Sequence, residues 1–295
     1  MQQSVSVIIP AYNYGRFIAD AICSVLEQTR PASEIVVVDD GSTDDTGAVV
    51  AAFGNQVKYV RQENSGVCAA RNHGVGESTG ELIALLDADD IWEPTNLEKQ
   101  IARFEADPSL GLVHCGMREF DDDTGMTIDV YLEGAEEEAA RNLLLWERPA
   151  VNVSGSAVTV RRNAFDAVGG FDTRMKVGED WDFCYRVACR FKVGFVPEPL
   201  VNYRSHRSAA HRDVREMERG MSLFYEKAFA NGDAEVLKLK RRALGNFHRV
   251  LAGSYFQSHD YAQFLSHAAR SILNRPAAFA YFLEFPIRRL KRKKH

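Results

Sequence analysis

Leu82-Ile83-Ala84-Leu85-Leu86-Asp87-Ala88-Asp89-Asp90 carries the strongest fold signal in this chain of 295 residues. Five consecutive apolar residues predict a buried strand, and three carboxylates follow where that strand should end. In an open α/β sheet, ligands bind in the crevice beyond the carboxyl ends of the strands. Asp87 and Asp89 are two residues apart and share a face of an extended backbone, so a divalent cation would relieve their repulsion. The alternative is a solvated acidic loop or a helix N-cap for the segment at Pro94.

The N-terminal half of the chain alternates short apolar segments with segments of helical periodicity. Four apolar segments predict strands, namely 4–9, 34–38, 57–60 and 82–86. This alternation is typical of a parallel, doubly wound sheet with helices on its faces. A hairpin is predicted at 110–131, and two short strands at 193–196 and 200–203.

After about residue 207 the sequence pattern changes, because prolines and glycines become rare. Four helices are predicted there, at 213–230, 233–257, 260–273 and 276–285. We therefore expect an α/β domain over residues 1–207, a helical C-terminal extension over 208–285 and a basic tail over 286–295.

Composition and charge exclude several classes of protein. Forty-five per cent of the residues are hydrophobic, which supports a packed core. Five cysteines without a Cys-x-x-Cys pair favour reduced thiols and a cytoplasmic location, and we find neither a signal-like N-terminus nor an apolar run long enough to span a membrane. The net charge is −5, but six basic residues lie in 286–295, which leaves −11 on residues 1–285. Such an acidic body disfavours nucleic acid as a partner, whereas the tail either contacts anionic lipid at the inner face of a membrane or is a solvated terminus.

The first acidic cluster, Asp39-Asp40, also follows a predicted strand. A carboxylate there could accept a hydrogen bond from the N3–H of uracil, with Tyr12 stacked on the base; the alternative is ordinary turn and capping chemistry. Arg71, on a predicted helix, could offset the acidic strand ends or grip a phosphate. Its alternative is a surface arginine paired with Glu63 or Glu77.

Two further candidates lie closer to the end of the predicted α/β domain. Asp180 is in the first turn of a predicted helix, where the helix dipole stabilises an anion that can act as a base, although it could also be a plain cap. His206 would complete an oxygen–nitrogen ligand set with an aspartate, or it is a surface histidine.

Five segments occur in a consistent order over residues 3–205. They are S-V-I-I-P-A-Y-N at 6–13, V-V-D-D-G-S-T-D-D-T at 37–46, N-x-G-x-x-x-A-R-N at 64–72, D-A-D at 87–89 and G-E-D-W-D at 178–182. Taken together, they resemble the segments of inverting family 2 glycosyltransferases with the GT-A fold. The helical extension lies outside this resemblance.

The resemblance implies a fold, a set of site residues and a cofactor. The fold would be the Rossmann-like GT-A fold, with a mixed, mainly parallel sheet flanked by helices. The base, ribose and diphosphate of a nucleotide-sugar donor would be bound by Pro10, Tyr12, Asp39, Arg71, Asp87 and Asp89. Asp89 would bind Mn²⁺ or Mg²⁺, with His206 as a further metal ligand, and Asp180 would be the catalytic base.

The implied reaction is the transfer of one sugar from a nucleotide-diphosphate sugar, with UDP-sugar favoured, to a glycan or glycolipid acceptor of the cell envelope. The chain lacks the Gln-x-x-Arg-Trp motif and spanning helices of processive synthases. A dehydrogenase is disfavoured because the first strand is followed by Pro10-Ala11-Tyr12-Asn13 instead of G-x-G-x-x-G, and a sugar-nucleotide pyrophosphorylase because a glycine-rich phosphate loop is not found near the N-terminus. The remaining alternative, a non-catalytic nucleotide-sugar-binding or scaffold protein, is disfavoured by the intact Asp89 and Asp180.

Overall fold

The structure is a computed structural model that describes residues 3–152, 155–206 and 213–284. Within these ranges the chain forms two compact units. The first consists of residues 3–140 and 149–206, and the second of residues 141–148 and 213–284. The expected basic tail at 286–295 lies outside the described residues.

The first unit contains a nine-stranded sheet with parallel and antiparallel pairs. Its strands are β1 (Val5–Ala11), β2 (Glu34–Asp39), β3 (Lys58–Arg61), β4 (Leu82–Leu85), β5 (Ile91–Trp92), β6 (Leu110–Asp121), β7 (Thr127–Tyr131), β8 (Val158–Arg161) and β9 (Lys192–Ser205). Their spatial order is β3-β2-β1-β4-β8-β6-β9-β5, and β7 forms the predicted hairpin with β6.

Strands β1 to β4 form the parallel part of the sheet. Every residue of β1 and β4 is buried, as expected where helices cover both faces. Ala11 pairs with Asp39, and Ile8 pairs with Leu85. The carboxyl ends of β2, β1 and β4 therefore lie side by side, and the loop that contains Asp87 follows the last of them.

Strands β8, β6 and β9 extend the sheet beyond β4. The chain forms one 14-residue strand, β9, where the sequence predicted two short strands. Prolines 197 and 199 cannot donate ladder hydrogen bonds, and the parallel pairing with β6 continues past them through register shifts at Cys115–Met117. Because the strand continues, Arg204 pairs with Phe120 and His206 follows directly after the strand.

Six α-helices lie in the described part of the first unit: α1 (Ile18–Leu26), α2 (Thr46–Ala51), α3 (Val67–Gly76), α4 (Asn96–Ala106), α6 (Arg162–Val168) and α7 (Glu179–Ala188). Helix α5 (Ala139–Leu145) begins in the first unit and continues into the second. Helix α3 packs closely on the sheet at Gly74, where a Cβ atom would lie 2.4 Å from Ile8 and 3.0 Å from Val38. This close approach places Arg71, one turn earlier on α3, against the core instead of in solvent.

The second unit is helical, with α8 (Val214–Ala230), α9 (Ala234–Gln257), α10 (Tyr261–Asn274) and a further helical segment at 278–284. The bounds of α8 to α10 lie within one residue of the sequence predictions. Each of these three helices begins after an aspartate whose side chain accepts a backbone N–H of the first turn, namely Asp213, Asp233 and Asp260. In the described residues, no helix has the length and apolar character that crossing a bilayer requires.

Candidate active site

The loop after β4 is held by buried hydrogen bonds. The backbone N–H of Asp87 donates to Ser156 Oγ at 3.0 Å, and the Ser156 hydroxyl donates to Asp90 Oδ2 at 2.5 Å. The backbone N–H of Arg204 donates to Asp90 Oδ1 at 2.9 Å. Burial raises the pKa of Asp90 well above its usual value, and the charges of Asp89 and Asp87 raise it further. Asp90 thus fixes the loop through its contacts with Ser156 and Arg204.

Asp89 lies against His206, which follows β9. Asp89 Oδ2 is 2.9 Å from Nε2 of His206, and the histidine is 8% exposed. The ring of His206 packs on Phe17 and Tyr14, with ring centroids 5.1 and 6.4 Å away. Burial and the charge of Asp87 raise the pKa of Asp89, although the contact with His206 opposes the rise. His206 is therefore not the surface histidine that the sequence left as an alternative.

Arg71 connects the loop after β4 to the start of α7. Its Nη1 donates to Asp180 Oδ1 at 2.6 Å and lies 3.3 Å from Glu179 Oε1, and its Nη2 donates to Asp87 Oδ1 at 2.8 Å. Arg71 is 2% exposed, so the alternative of a surface arginine is wrong. The proposed partner Glu77 instead pairs with Lys58.

Asp180 lies in the first turn of α7 with an altered acidity. Burial raises its pKa to about 8; Arg71 opposes this rise, and Glu179 and Asp87 add to it. A carboxylate with such a pKa takes up and releases a proton near neutral pH, as a general base must.

Asp39, at the end of β2, is buried and hydrogen-bonded. Its Oδ2 accepts the Tyr59 hydroxyl at 2.5 Å, and its Oδ1 accepts the backbone N–H of Ser42 at 2.7 Å. Burial alone would raise the pKa of Asp39, but the hydrogen bonds from Tyr59 and Ser42 and the charge of Arg61 lower it below its usual value. Asp39 is therefore an ionised acceptor at neutral pH.

The other residues expected to bind the donor lie on or near β1. Pro10 is buried within β1, opposite Val38 of β2, and Tyr12 follows the strand with 45% of its surface exposed. Asp40 has a structural role, since its carboxylate accepts the backbone N–H groups of Ser65 and Gly66, each at 2.8 Å.

Sequence reasoning missed two residues that hold this site together. One is Ser156, which no spacing rule connects to the acidic loop. The other is Arg204, whose guanidinium lies between the rings of Phe17 and Phe120, at 4.9 and 5.1 Å from their centroids. Arg204 Nε also donates to the backbone oxygen of Asp89 at 2.8 Å. In the sequence, only its position two residues before the candidate ligand His206 indicated that Arg204 could lie near the site.

Asp89 and His206 form a pair of donors suited to a divalent cation. Among the described residues, no group of three or more histidine, cysteine or acidic side chains forms a closed metal cage. Mg²⁺ sites in nucleotide-dependent enzymes commonly take one or two protein ligands and complete their shell with phosphate oxygens and water. A carboxylate oxygen and an imidazole nitrogen 2.9 Å apart fit such a cation.

The family model described as glycosyl transferase family 2 matches residues 6–169, which is more than half of the chain. The chain belongs to glycosyl transferase family 2. The matched range includes all but the first residue of β1, the whole of β2 to β4, Arg71 and the acidic loop at 87–90. The predictions of a family 2 enzyme and of a transferase activity are therefore confirmed.

Similar proteins include several bacterial glycosyltransferases. An uncharacterized glycosyltransferase of Nostoc sp. is 34% identical over 215 residues, which cover 70% of this chain and 66% of that protein. One from Rickettsia typhi is 29% identical, with 76% and 72% covered. The putative glycosyltransferase EpsH of Bacillus subtilis is 29% identical over 259 residues, with 83% and 74% covered. The chain thus spans about two thirds to three quarters of these relatives.

Solved structures share the fold of this glycosyltransferase at low identity. S. aureus TarS (residues 1–349), in complex with UDP-GlcNAc, has a TM-score of 0.68 and 19% identity, with 92% of this chain and 81% of TarS covered. The mannosyltransferase PcManGT from Pyrobaculum calidifontis, in complex with GDP-Man and Mn²⁺, has a TM-score of 0.65 and 20% identity, with 97% and 81% covered. These likenesses confirm the predicted GT-A fold.

Proposed function

We propose that this glycosyltransferase moves one sugar per event from a nucleoside-diphosphate sugar, with UDP-sugar as the expected donor, to an acceptor hydroxyl. The proposed reaction inverts the anomeric centre and depends on Mn²⁺ or Mg²⁺. The observation that carries the proposal is the convergence of Asp87, Asp89 and Asp180 at one site, through Arg71 and the loop after β4. Complexes of related folds with UDP-GlcNAc and GDP-Man support a nucleotide-sugar donor.

Asp180 would act as the general base. Its carboxylate accepts the proton of the acceptor hydroxyl while that oxygen attacks the anomeric carbon and the nucleoside diphosphate departs. A single displacement of this kind inverts the anomeric centre and needs one base. A positioned base contributes roughly 10²–10⁴-fold to the rate.

Asp89 and His206 would hold the divalent cation. When bound, such an ion neutralises the charge that develops on the departing diphosphate. The backbone of Asp89 is fixed by Arg204, so its carboxylate is held in position before a donor arrives.

Tyr12, Asp39 and Asp87 would bind the nucleoside. Tyr12 has an exposed ring on which a base can stack. Asp39 is an ionised acceptor for the N3–H of uracil, and the residues that cover it, Tyr59 and Arg61, have exposed side chains that can turn toward solvent. Asp87 would accept ribose hydroxyls with the oxygen that Arg71 leaves open.

The acceptor in this proposal is a glycan or glycolipid of the cell envelope. Six basic residues in 286–295 would favour an anionic lipid surface at the inner face of a membrane. The alternative hypothesis is a non-catalytic nucleotide-sugar-binding protein, which would bind the same donor without cleaving it.

A hydrolysis screen tests the proposal. Pure protein is incubated with UDP-, GDP- and dTDP-sugars, with Mn²⁺ or with EDTA, and release of the nucleoside diphosphate is measured. Slow, Mn²⁺-dependent release from one donor class is expected, since water replaces the missing acceptor. Tight donor binding without release of a nucleoside diphosphate from any of the sugars would favour the non-catalytic alternative.

A further inference from the structure

The side chain of Arg71 is buried, and its guanidinium is hydrogen-bonded to carboxylates of the protein. Nη1 is 2.6 Å from Asp180 Oδ1, and Nη2 is 2.8 Å from Asp87 Oδ1. With 2% of its surface exposed, Arg71 presents almost no area to a ligand in the crevice. Both terminal nitrogens are committed to carboxylates of the chain itself.

The neighbours of Arg71 hold its guanidinium in one place. The Phe171 ring lies under it, with Cζ 5.1 Å from the ring centroid. The amide of Asn72 donates to the backbone oxygen of Phe171 and accepts its N–H, both at 2.8 Å, which fixes the ring to α3. At Gly155 a Cβ atom would lie 2.5 Å from Nη2, so any side chain at 155 would displace the guanidinium.

We propose that Arg71 is a positioning residue that orients Asp180 toward the acceptor hydroxyl and ties it to Asp87, without contacting the donor. This inference rests on the proposed function, in which Asp180 is the base. It differs from the expectation drawn from the family resemblance, in which Arg71 lies at the nucleotide base or the diphosphate.

The planar fork of an arginine suits this task. Two N–H groups on separate nitrogens reach two carboxylates from different parts of the chain, whereas a lysine ammonium is a single point charge on a flexible stem. A base displaced by about 1 Å costs roughly 10²-fold in rate. Asp87 keeps a second tether, from its backbone N–H to Ser156, so donor binding depends less on Arg71.

Arg71 also sets the charge environment of Asp180. In the described part of the chain, the titratable and charged groups facing Asp180 are Arg71 and Cys68 on α3, Glu179 and Cys184 on α7, and Asp87 after β4. Arg71 is the cation in this set, and it holds the pKa of Asp180 below the value that burial alone would give. A neutral residue at 71 would therefore move the ionisation of the base to higher pH.

The test compares Arg71→Lys and Arg71→Gln with Arg186→Lys, using the hydrolysis of the donor identified in the screen. Arg186 is a matched control because it also pairs with an aspartate of α7, Asp182, at 2.7 Å. We expect Arg71→Lys to lower kcat by about 10- to 100-fold and to change the donor KM by less than about threefold. We expect Arg71→Gln to move the pH profile of kcat upward by about one unit, and Arg186→Lys to leave kcat unchanged.

A double mutant and the donor KM distinguish a positioning role of Arg71 from direct donor binding. In Asp180→Asn protein, Arg71→Lys should cause little further loss, because its effect runs through the base; losses that multiply would overturn the inference. A donor KM raised tenfold or more with unchanged kcat would overturn it as well, since Arg71 would then contact the donor. If the Arg71 variants do not fold, as judged by circular dichroism and urea unfolding, Phe171→Leu replaces them. The same split between kcat and KM is expected, and an unchanged kcat would contradict the inference.

The roles of Asp180 and Arg71 can be contradicted separately. Full turnover by Asp180→Asn would end the proposed role of the base itself. Loss of turnover in Asp180→Asn together with normal kcat in Arg71→Lys and Phe171→Leu would overturn only the role of Arg71.

Discussion

Asp89 and His206 lie 117 residues apart in sequence, and their side chains meet at 2.9 Å. The contact forms because β9 continues to Ser205 beside β6 and delivers His206 to the loop after β4. It joins a hard oxygen donor to an imidazole at the edge of the sheet where phosphates are expected to bind.

Replacement of Asp89 by alanine should abolish the metal-dependent part of donor binding. The carboxylate is one of the two protein donors, and a lone histidine holds Mn²⁺ weakly. Calorimetry of nucleoside-diphosphate binding with and without Mn²⁺ measures the effect. Asp129→Ala, at an exposed aspartate of β7, is the control and should bind as the wild type does. If Mn²⁺ increases nucleoside-diphosphate affinity equally in Asp89→Ala and in the wild type, the assignment of Asp89 as a metal ligand is wrong.

Donor hydrolysis should increase with pH through about 8. The base accepts a proton only when it is ionised, and burial raises the pKa of Asp180 to about 8. Below that pH the ionised fraction, and with it kcat/KM, should fall about tenfold per pH unit. Initial rates between pH 6 and 9.5 at fixed Mn²⁺ would show this slope. A rate that is already constant from pH 6 upward would be inconsistent with a base of this acidity.

Tyr59→Phe should destabilise the first unit by about 1–3 kcal/mol, because it removes a hydrogen bond to a buried carboxylate. Urea unfolding at pH 7 measures the change. Tyr261→Phe, whose hydroxyl lies on an exposed residue of α10, is the control and should change stability by less than about 0.5 kcal/mol. If Tyr59→Phe lowers the free energy of unfolding no more than the control does, the hydrogen bond from Tyr59 to Asp39 does not stabilise the fold.

His114 should make the protein less stable as the pH falls below about 6.5. Its Nε2 lies 3.1 Å from the oxygen of Ala135, and its Nδ1 accepts the N–H of Asn152 at 3.2 Å, which favours the neutral ring. Burial lowers its pKa to about 4. Between pH 6.5 and 4, His114 is therefore protonated in the unfolded chain but neutral in the folded protein. The free energy of unfolding decreases as the pH is lowered through this range.

Urea unfolding of wild type and His114→Gln at pH 7 and pH 5 separates this effect from other groups. The drop between the two pH values should be smaller in the variant, whatever its stability at pH 7. An equal drop in both proteins would assign the pH dependence elsewhere.

The fold was largely predictable from the sequence, because its parallel part consists of local apolar segments at regular spacing. Val5–Ala11 and Leu82–Leu85 are strands that periodicity identifies without knowledge of their partners. The long β9 was not predicted, since its continuity past Pro197 and Pro199 depends on pairing with β6. Propensity cannot supply such tertiary information.

The sequence singled out Asp39, Asp89 and Asp180 as candidate site residues because each lies in a short recognisable motif, and their roles stay predictions. The hydrogen bonds that hold the candidate site together were not predictable. The bond from Arg71 to Asp180 spans 109 residues, and the bond from Ser156 to Asp90 spans 66. No local pattern encodes either, because each depends on how α3, α7 and β8 pack around the loop after β4.

The transfer step itself offers the most direct measurement, with Asp180→Asn as the variant. The amide keeps the shape of the side chain but cannot take up the proton, so donor binding in calorimetry should stay within about threefold of wild type while turnover falls by roughly 10²–10⁴-fold. Wild-type turnover in this variant would contradict the account, because another group would then have to receive the proton of the attacking hydroxyl.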